Sequence, residues 1–138
     1  LKTITKKLKI DKHVKFTGAV PYQDIPKYYQ SADIFVFPSL TDTQGIVILE
    51  AMACGLPVVV LKDNAFKDIV KDNQNGYMAK NSRDFKEKIL KIICNDNLYA
   101  KLSDKALKTS KLFSEKKQTE KLLKIYKQVI KKTSPGQN

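Results

Sequence analysis

With 138 residues, 42% of them hydrophobic and 29% charged, the chain is sized for one globular domain with a real core, which excludes a disordered or low-complexity class. The formal net charge of +12 is uneven: residues 81–138 hold 15 of the 26 Lys/Arg but 6 of the 14 Asp/Glu, and Arg83 is the sole arginine. Nucleic-acid sites draw on arginine and on aromatics interleaved with positive charge, so a nucleic-acid partner is excluded. The lysine excess fits either a solvated helical face or attraction to an anionic membrane surface.

In chain order, Leu1 to Ile10 reads as a short Lys-rich helix with Ile4 and Leu8 on one face. No apolar block follows it as a signal peptide requires, and there is no initiating Met, so a piece of a longer protein is expected. Val14-Lys-Phe-Thr-Gly18 alternates as a strand. Pro21 sets a turn, and Asp24 to Ala32 reads as a helix burying Ile25, Tyr28 and Tyr29. Ile34-Phe-Val-Phe-Pro38 is a continuous apolar run, as in a parallel strand covered on both faces. Ser39 to Gln44 is a loop, Gly45 to Cys54 a helix closed by Gly55, and Pro57 to Leu61 the next buried strand.

Beyond it come a short segment around Asp68-Ile-Val70, a turn at Asn73-Gln-Asn-Gly76 and a brief strand, Tyr77-Met-Ala79. Ser82 is placed to cap a helix through Asn95 with Phe85, Ile89, Ile92 and Ile93 inward. A second helix follows, then a long one from Glu115 to Lys132 with Leu122, Tyr126, Val129 and Ile130 on one face. Residues 133–138, ending Ser134-Pro-Gly-Gln-Asn138, are expected to be disordered. Alternation of strand and helix predicts an α/β class: a Rossmann-like parallel sheet with flanking helices and a helical C-terminus. Three core strands are fewer than such a sheet usually has, so further strands are expected before Leu1.

Cys54 and Cys94, each within an apolar segment, read as buried free thiols of a reducing, cytoplasmic compartment. His13, the only histidine, precedes a strand and reads as a surface residue, and no metal-ligand spacing exists. Tyr22, Tyr28 and Tyr29 read as packing residues rather than a base-stacking platform.

The segment that carries chemistry runs from Ser39 to Gly55. It leaves the carboxyl end of a strand and enters the amino end of a helix, the edge at which open α/β sheets bind ligands. The first turn of that helix offers backbone N–H groups and the positive end of a dipole. Gly45 lets a phosphate oxygen approach the amides of Gly45, Ile46 and Val47. Glu50 has only Ile46, Val47, Ala53 and Cys54 three or four residues away. Burying an unpartnered carboxylate costs on the order of several kcal/mol, so this one needs donors. A ribose 2′,3′-diol and a set of loop amides or a solvent edge fit it equally. Asp42, just before the helix, fits a helix cap or an acceptor for sugar hydroxyls.

The pattern Asp42, two residues, Gly-Ile-Val, then Glu-Ala-Met-Ala-Cys-Gly-Leu-Pro-Val-Val resembles the retaining nucleotide-sugar glycosyltransferases of family 4, which have the GT-B fold. The resemblance extends to Val14-Lys-Phe-Thr-Gly-Ala-Val-Pro21, to Tyr28-Tyr-Gln-Ser-Ala-Asp-Ile-Phe-Val-Phe-Pro-Ser39, and through Asn75-Gly76 to Ile125-Tyr126. It implies that residues 1–132 are part of the C-terminal, donor-binding half of such an enzyme. Glu50 would take the nucleotide ribose, Asp42 the donor sugar, the Gly45, Ile46 and Val47 amides the diphosphate, and the backbone at Ala19 and Val20 the base.

The family usually has Glu where Asp42 stands; the shorter side chain keeps the charge and loses about one methylene of reach. Gln44 stands where many members have Phe, and Thr41-Asp-Thr-Gln-Gly45 looks most like the membrane-lipid glucosyltransferases. The resemblance further implies an NDP-sugar donor, UDP-sugars favoured, and no metal cofactor. It implies a separate N-terminal acceptor domain, and an upstream Arg and Lys for the diphosphate, both expected before Leu1. The site would be cytoplasmic, with the inner membrane face as an alternative. Two other functions fit the residues: a non-catalytic nucleotide- or phosphate-binding module, and a basic domain that binds a membrane surface.

Overall fold

The computed structural model describes residues 1–39 and 45–133, the side chains of 131–133 excepted. Three parallel strands, β1 (Phe35–Phe37), β2 (Val58–Leu61) and β3 (Gly76–Ala79), lie in the order β1-β2-β3, with Phe35 opposite Val58 and Val58 opposite Gly76. Among the described residues six α-helices accompany them: α1 (Lys2–Lys7), α2 (Ile25–Gln30), α3 (Ile46–Ala53), α4 (Ser82–Ile93), α5 (Asp96–Leu112) and α6 (Glu115–Thr133). The parallel sheet with flanking helices and a helical C-terminus is the α/β architecture that the strand–helix alternation predicts.

Successive β2 side chains point to opposite faces, and the core divides accordingly. Val58 and Val60 pack with Ile48, Ala51 and Met52 of α3 and with Phe66, Ile69 and Val70 beyond β2. Val59 packs on the other face with Tyr77, Ile92 of α4 and Leu102 of α5. α5 serves both faces, since its Ala106 belongs to the first cluster.

Short-range chemistry fixes the element ends. α3 stops in a Schellman arrangement: Gly55, at φ 78°, donates its amide to Met52 O and Leu56 donates to Ala51 O. Asn81, not Ser82, caps α4, its side chain accepting from Asp84 N at 3.0 Å. The amide-bearing residue before the helix has extended backbone and the side-chain oxygen reaches its third residue, whereas Ser82 is already helical. Before β3, the buried Asn75 accepts from Lys71 N at 2.8 Å and donates to Ile69 O at 2.8 Å and Thr109 Oγ1 at 2.9 Å. It ties the loop to α5. Gly76 follows where an added Cβ would lie 2.5 Å from Val58 Cγ2 and 2.7 Å from its carbonyl, so no larger residue fits the β2–β3 contact.

Several expectations need correction. Val14 to Gly18 forms no strand: among the described residues no ladder lies beside it, and strand backbone needs hydrogen-bond partners to persist. β1 is not covered on both faces, since Val36 is 41% exposed; among the described residues it pairs with β2 alone. α1 is shorter than Leu1 to Ile10, ending before Lys9 at φ 56°, and Ile4 and Leu8 are both exposed. α2 starts at Ile25 after a turn of 3-10 helix over Tyr22–Asp24; Ile25 and Tyr29 are half-buried, but Tyr28 is 47% exposed on its outer side.

Cys94 is exposed and Cys54 half-buried, because Cys94 falls at the solvent-side end of α4 and Cys54 opens on a cleft. Ile93 is exposed at the same helix end. The face of Leu122, Tyr126, Val129 and Ile130 is also open, each 49–63% exposed, since α6 joins neither core cluster. α6 runs through Thr133, and the tail from residue 134 lies outside the described residues.

Asn75→Ala leaves the buried Ile69 carbonyl and a part-buried Lys71 amide without partners. The expected loss of stability is about 2–3 kcal/mol, read as a lower urea midpoint at unchanged slope.

Candidate functional site

α3 begins beyond the carboxyl end of β1, so its amino end stands at the ligand edge of the sheet. Gly45 is its N-cap, in the left-handed conformation at φ 61°, where a side chain is strained. Space is tight as well: an added Cβ would lie 3.0 Å from Ile69 Cδ1 and 3.4 Å from Phe66 Cδ1, so those side chains would have to give. The glycine is therefore buried by the turn after β2, and it sets the direction in which α3 starts. No side chain caps this helix among the described residues, and its first turn holds no acid. The positive end of the dipole at Ile46 and Val47 is thus not neutralised by the helix's own residues. Lys27, the only base between Gly18 and Leu61, is engaged by Asp24 at 2.7 Å. Asp42 and Gln44 lie outside the described residues.

Glu50 is about 7 Å farther along the helix axis, at 1.5 Å per residue. It is half-buried and lines a cleft of about 250 Å³ with Tyr22, Gln23, Ile25, Tyr29 and Cys54. Tyr29 donates its hydroxyl to Glu50 Oε2 at 3.2 Å, long for an O–H···O bond. Among the described residues no buried side-chain oxygen lacks a partner, so Oε1, to which the Tyr29 hydroxyl does not bond, is accessible. Burial, reinforced by the adjacent carboxylate, pushes the Tyr29 phenol up to about 12. Burial and then the same carboxylate also push the Cys54 thiol up.

Val20 is half-buried in an adjoining cleft of about 220 Å³ with Thr17, Ile25, Tyr28 and Tyr29, while Ala19 is exposed beside it. Ile25 and Tyr29 form a wall common to both clefts. The fold thus brings Val20 and Glu50, 30 positions apart in sequence, to opposite sides of one tyrosine. Packing alone does not describe the tyrosines, since Tyr22, Tyr28 and Tyr29 all line these clefts. Tyr29 is the residue that sequence reasoning missed as a site residue. Its contact with Glu50 spans 21 positions and has no local pattern.

A larger cleft, about 380 Å³, lies between Asp33 and Ile34, at the amino end of β1, and the α4–α5 junction. It is at the opposite end of the strand from α3's start, away from the ligand edge. His13 is exposed, in accord with its reading as a surface residue. No group of three or more His, Cys, Asp or Glu residues among the described ones is arranged to hold a metal ion. No described helix is long and apolar enough to cross a membrane.

A family model described as "Glycosyl transferases group 1" matches residues 1–109. The chain is 28% identical over 130 residues to the alpha-monoglucosyldiacylglycerol synthase of Acholeplasma laidlawii, covering 94% of this chain and 33% of that protein. It spans about a third of the length of the curated relatives it matches first. Among solved structures it resembles the C-terminal domain of a group 1 glycosyl transferase, LpcC, of Francisella tularensis. The TM-score is 0.72 at 28% identity, covering 84% of this chain and 60% of that one. It also resembles HepE of Anabaena solved with UDP and glucose, with a TM-score of 0.70 at 25% identity over 78% of this chain and 30% of that one.

Tyr29 should appear in alkaline absorbance titration at 295 nm as a late component near pH 12. Tyr29→Phe removes that component. Glu50→Gln moves it to lower pH, because loss of the neighbouring negative charge eases ionisation. The sign for stability follows. The raised folded-state value favours the fold fully below pH 10, and this contribution is lost as pH rises from about 10 to about 12.

Proposed function

Because the chain belongs to the group 1 glycosyl transferases, we propose that residues 1–132 act as the nucleotide-sugar-binding half of a retaining hexosyltransferase whose donor is a UDP-sugar. The observation that carries this reading is the Glu50 carboxylate. It lines a cleft from an apolar helix, little more than about one turn from a helix start that lies at the sheet's ligand edge. In this arrangement Glu50 accepts from the ribose diol, and the Val20 cleft, with the backbone at Ala19 and Val20, receives the base. The Gly45, Ile46 and Val47 amides face the diphosphate. Asp42 is assigned to the donor sugar's hydroxyls by its place before Gly45 in the sequence. The UDP bound to the HepE structure supports the choice of base.

Transfer replaces the bond between the anomeric carbon and the diphosphate oxygen by a bond to an acceptor hydroxyl, on the same face of the sugar. The acceptor's proton passes to the departing phosphate. Charge developing on the diphosphate is stabilised by preorganised amides at the helix end, which need no reorganisation as the bond breaks. In this reading no metal is required, so chelation with EDTA leaves transfer by the longer parent protein unchanged. The acceptor is held by a separate N-terminal domain of that parent. A membrane lipid or a cell-envelope glycan is the class we assign it, and the lipid-forming relative supports the former. The reaction is placed in the cytoplasm, peripheral to the inner membrane face for a lipid acceptor.

Calorimetry with UDP tests the ribose assignment. Glu50→Ala should weaken binding by about 1–3 kcal/mol, the worth of hydrogen bonds to a charged group, and equal affinity for parent and variant overturns it. The 138-residue chain alone is expected to bind donor without transferring sugar. Labelled sugar appearing on an acceptor in its presence would refute this.

A further inference from the structure

We propose that Tyr29 is a positioning residue for the Glu50 carboxylate, its hydroxyl holding one oxygen so that the other is presented to the ribose diol of the donor. This deepens the reading of Glu50 given above and rests on it. The side chains three and four positions from Glu50 on α3, Ile46, Val47, Ala53 and Cys54, include no strong donor. The Tyr29 hydroxyl is the one donor that reaches the carboxylate among the described residues, and it reaches Oε2 only. Glu50 is a flexible side chain, and a carboxylate that must accept from two hydroxyls gains from being held in one rotamer before the ligand arrives.

Tyr29 is itself held. Its ring meets Phe35 edge-on, with centroids 5.7 Å apart and planes at 71°. Phe35 stacks on Phe37 at 6.1 Å, and Phe37 meets Phe66 edge-on at 5.9 Å. Phe66 in turn closes the space beside Gly45. A continuous aromatic row therefore joins the hydroxyl that grips Glu50 to the glycine that starts α3. The separation between Glu50 and the helix amides is set by α3 itself, and the row holds the Tyr29 hydroxyl beside the carboxylate. Burial beside a carboxylate also keeps the phenol protonated, hence a donor, well above neutral pH.

A structural role for Tyr29 and a positioning role predict different ligand dependence. Calorimetry on the 138-residue chain with UDP and with 2′,3′-dideoxy-UDP separates them, using the parent, Tyr29→Phe, Glu50→Ala and the double variant. Tyr29→Phe keeps the ring on Phe35 and removes only the hydroxyl. It is expected to weaken UDP about five- to tenfold and to leave the dideoxy analogue unchanged. In the Glu50→Ala background it should change neither ligand. Equal weakening of both ligands by Tyr29→Phe, or no weakening of UDP, overturns the proposal while leaving Glu50's role intact. Should Glu50→Ala weaken UDP and the dideoxy analogue alike, the ribose reading itself fails and the positioning role falls with it.

Discussion

Helix α3 is apolar along nearly its whole length, and the fold is arranged to bury it. Ile48, Ala51 and Met52 are fully inaccessible, enclosed by β2, by the turn carrying Phe66 and Ile69, and by α5. Ile48 and Met52 each contribute about 1.5–3 kcal/mol on leaving water and Ala51 about 1, so the helix is anchored by side chains that have nothing to do with ligands. The site depends on that anchoring. In the proposed reading the helix start must stay in place when an anion arrives, and Phe66 and Ile69 lie close enough to Gly45 that an added Cβ would press on them. The one carboxylate on the helix lies on the side left uncovered, where α2 supplies the facing wall.

Much of this was legible in the sequence because local rules governed it. Gly55 ends α3 with backbone hydrogen bonds that only a left-handed residue makes cheaply. The Val58–Leu61 run is buried on both faces because it is the central strand. The isolation of Glu50 among apolar neighbours follows from helical spacing alone. The family resemblance rests on these same positions, and the match over residues 1–109 bears out membership of the group 1 glycosyl transferases.

What the sequence hid depends on neighbours distant along the chain. The Phe35–Phe37 run and the Val58–Leu61 run look alike, but one has a partner on each side and the other on one, and only topology tells them apart. Val14 to Gly18 alternates as a strand should, yet alternation describes a side-chain pattern and says nothing of a hydrogen-bonding neighbour. Asn81 and Ser82 are both good caps, and the choice turns on which has extended backbone. Tyr29's part in the cleft is of the same kind, created by the approach of α2 to α3.

Among the described residues one side of β1 is bare, which carries a consequence for handling the 138-residue chain by itself. Unpaired strand backbone is a template for another chain, and concentrated samples of proteins with long open edges tend to stack. Here the rim is three residues long and is closed by Pro38, which has no amide hydrogen to donate. Such a stub can accept one short visiting segment, but it offers too little length to seed a growing fibre.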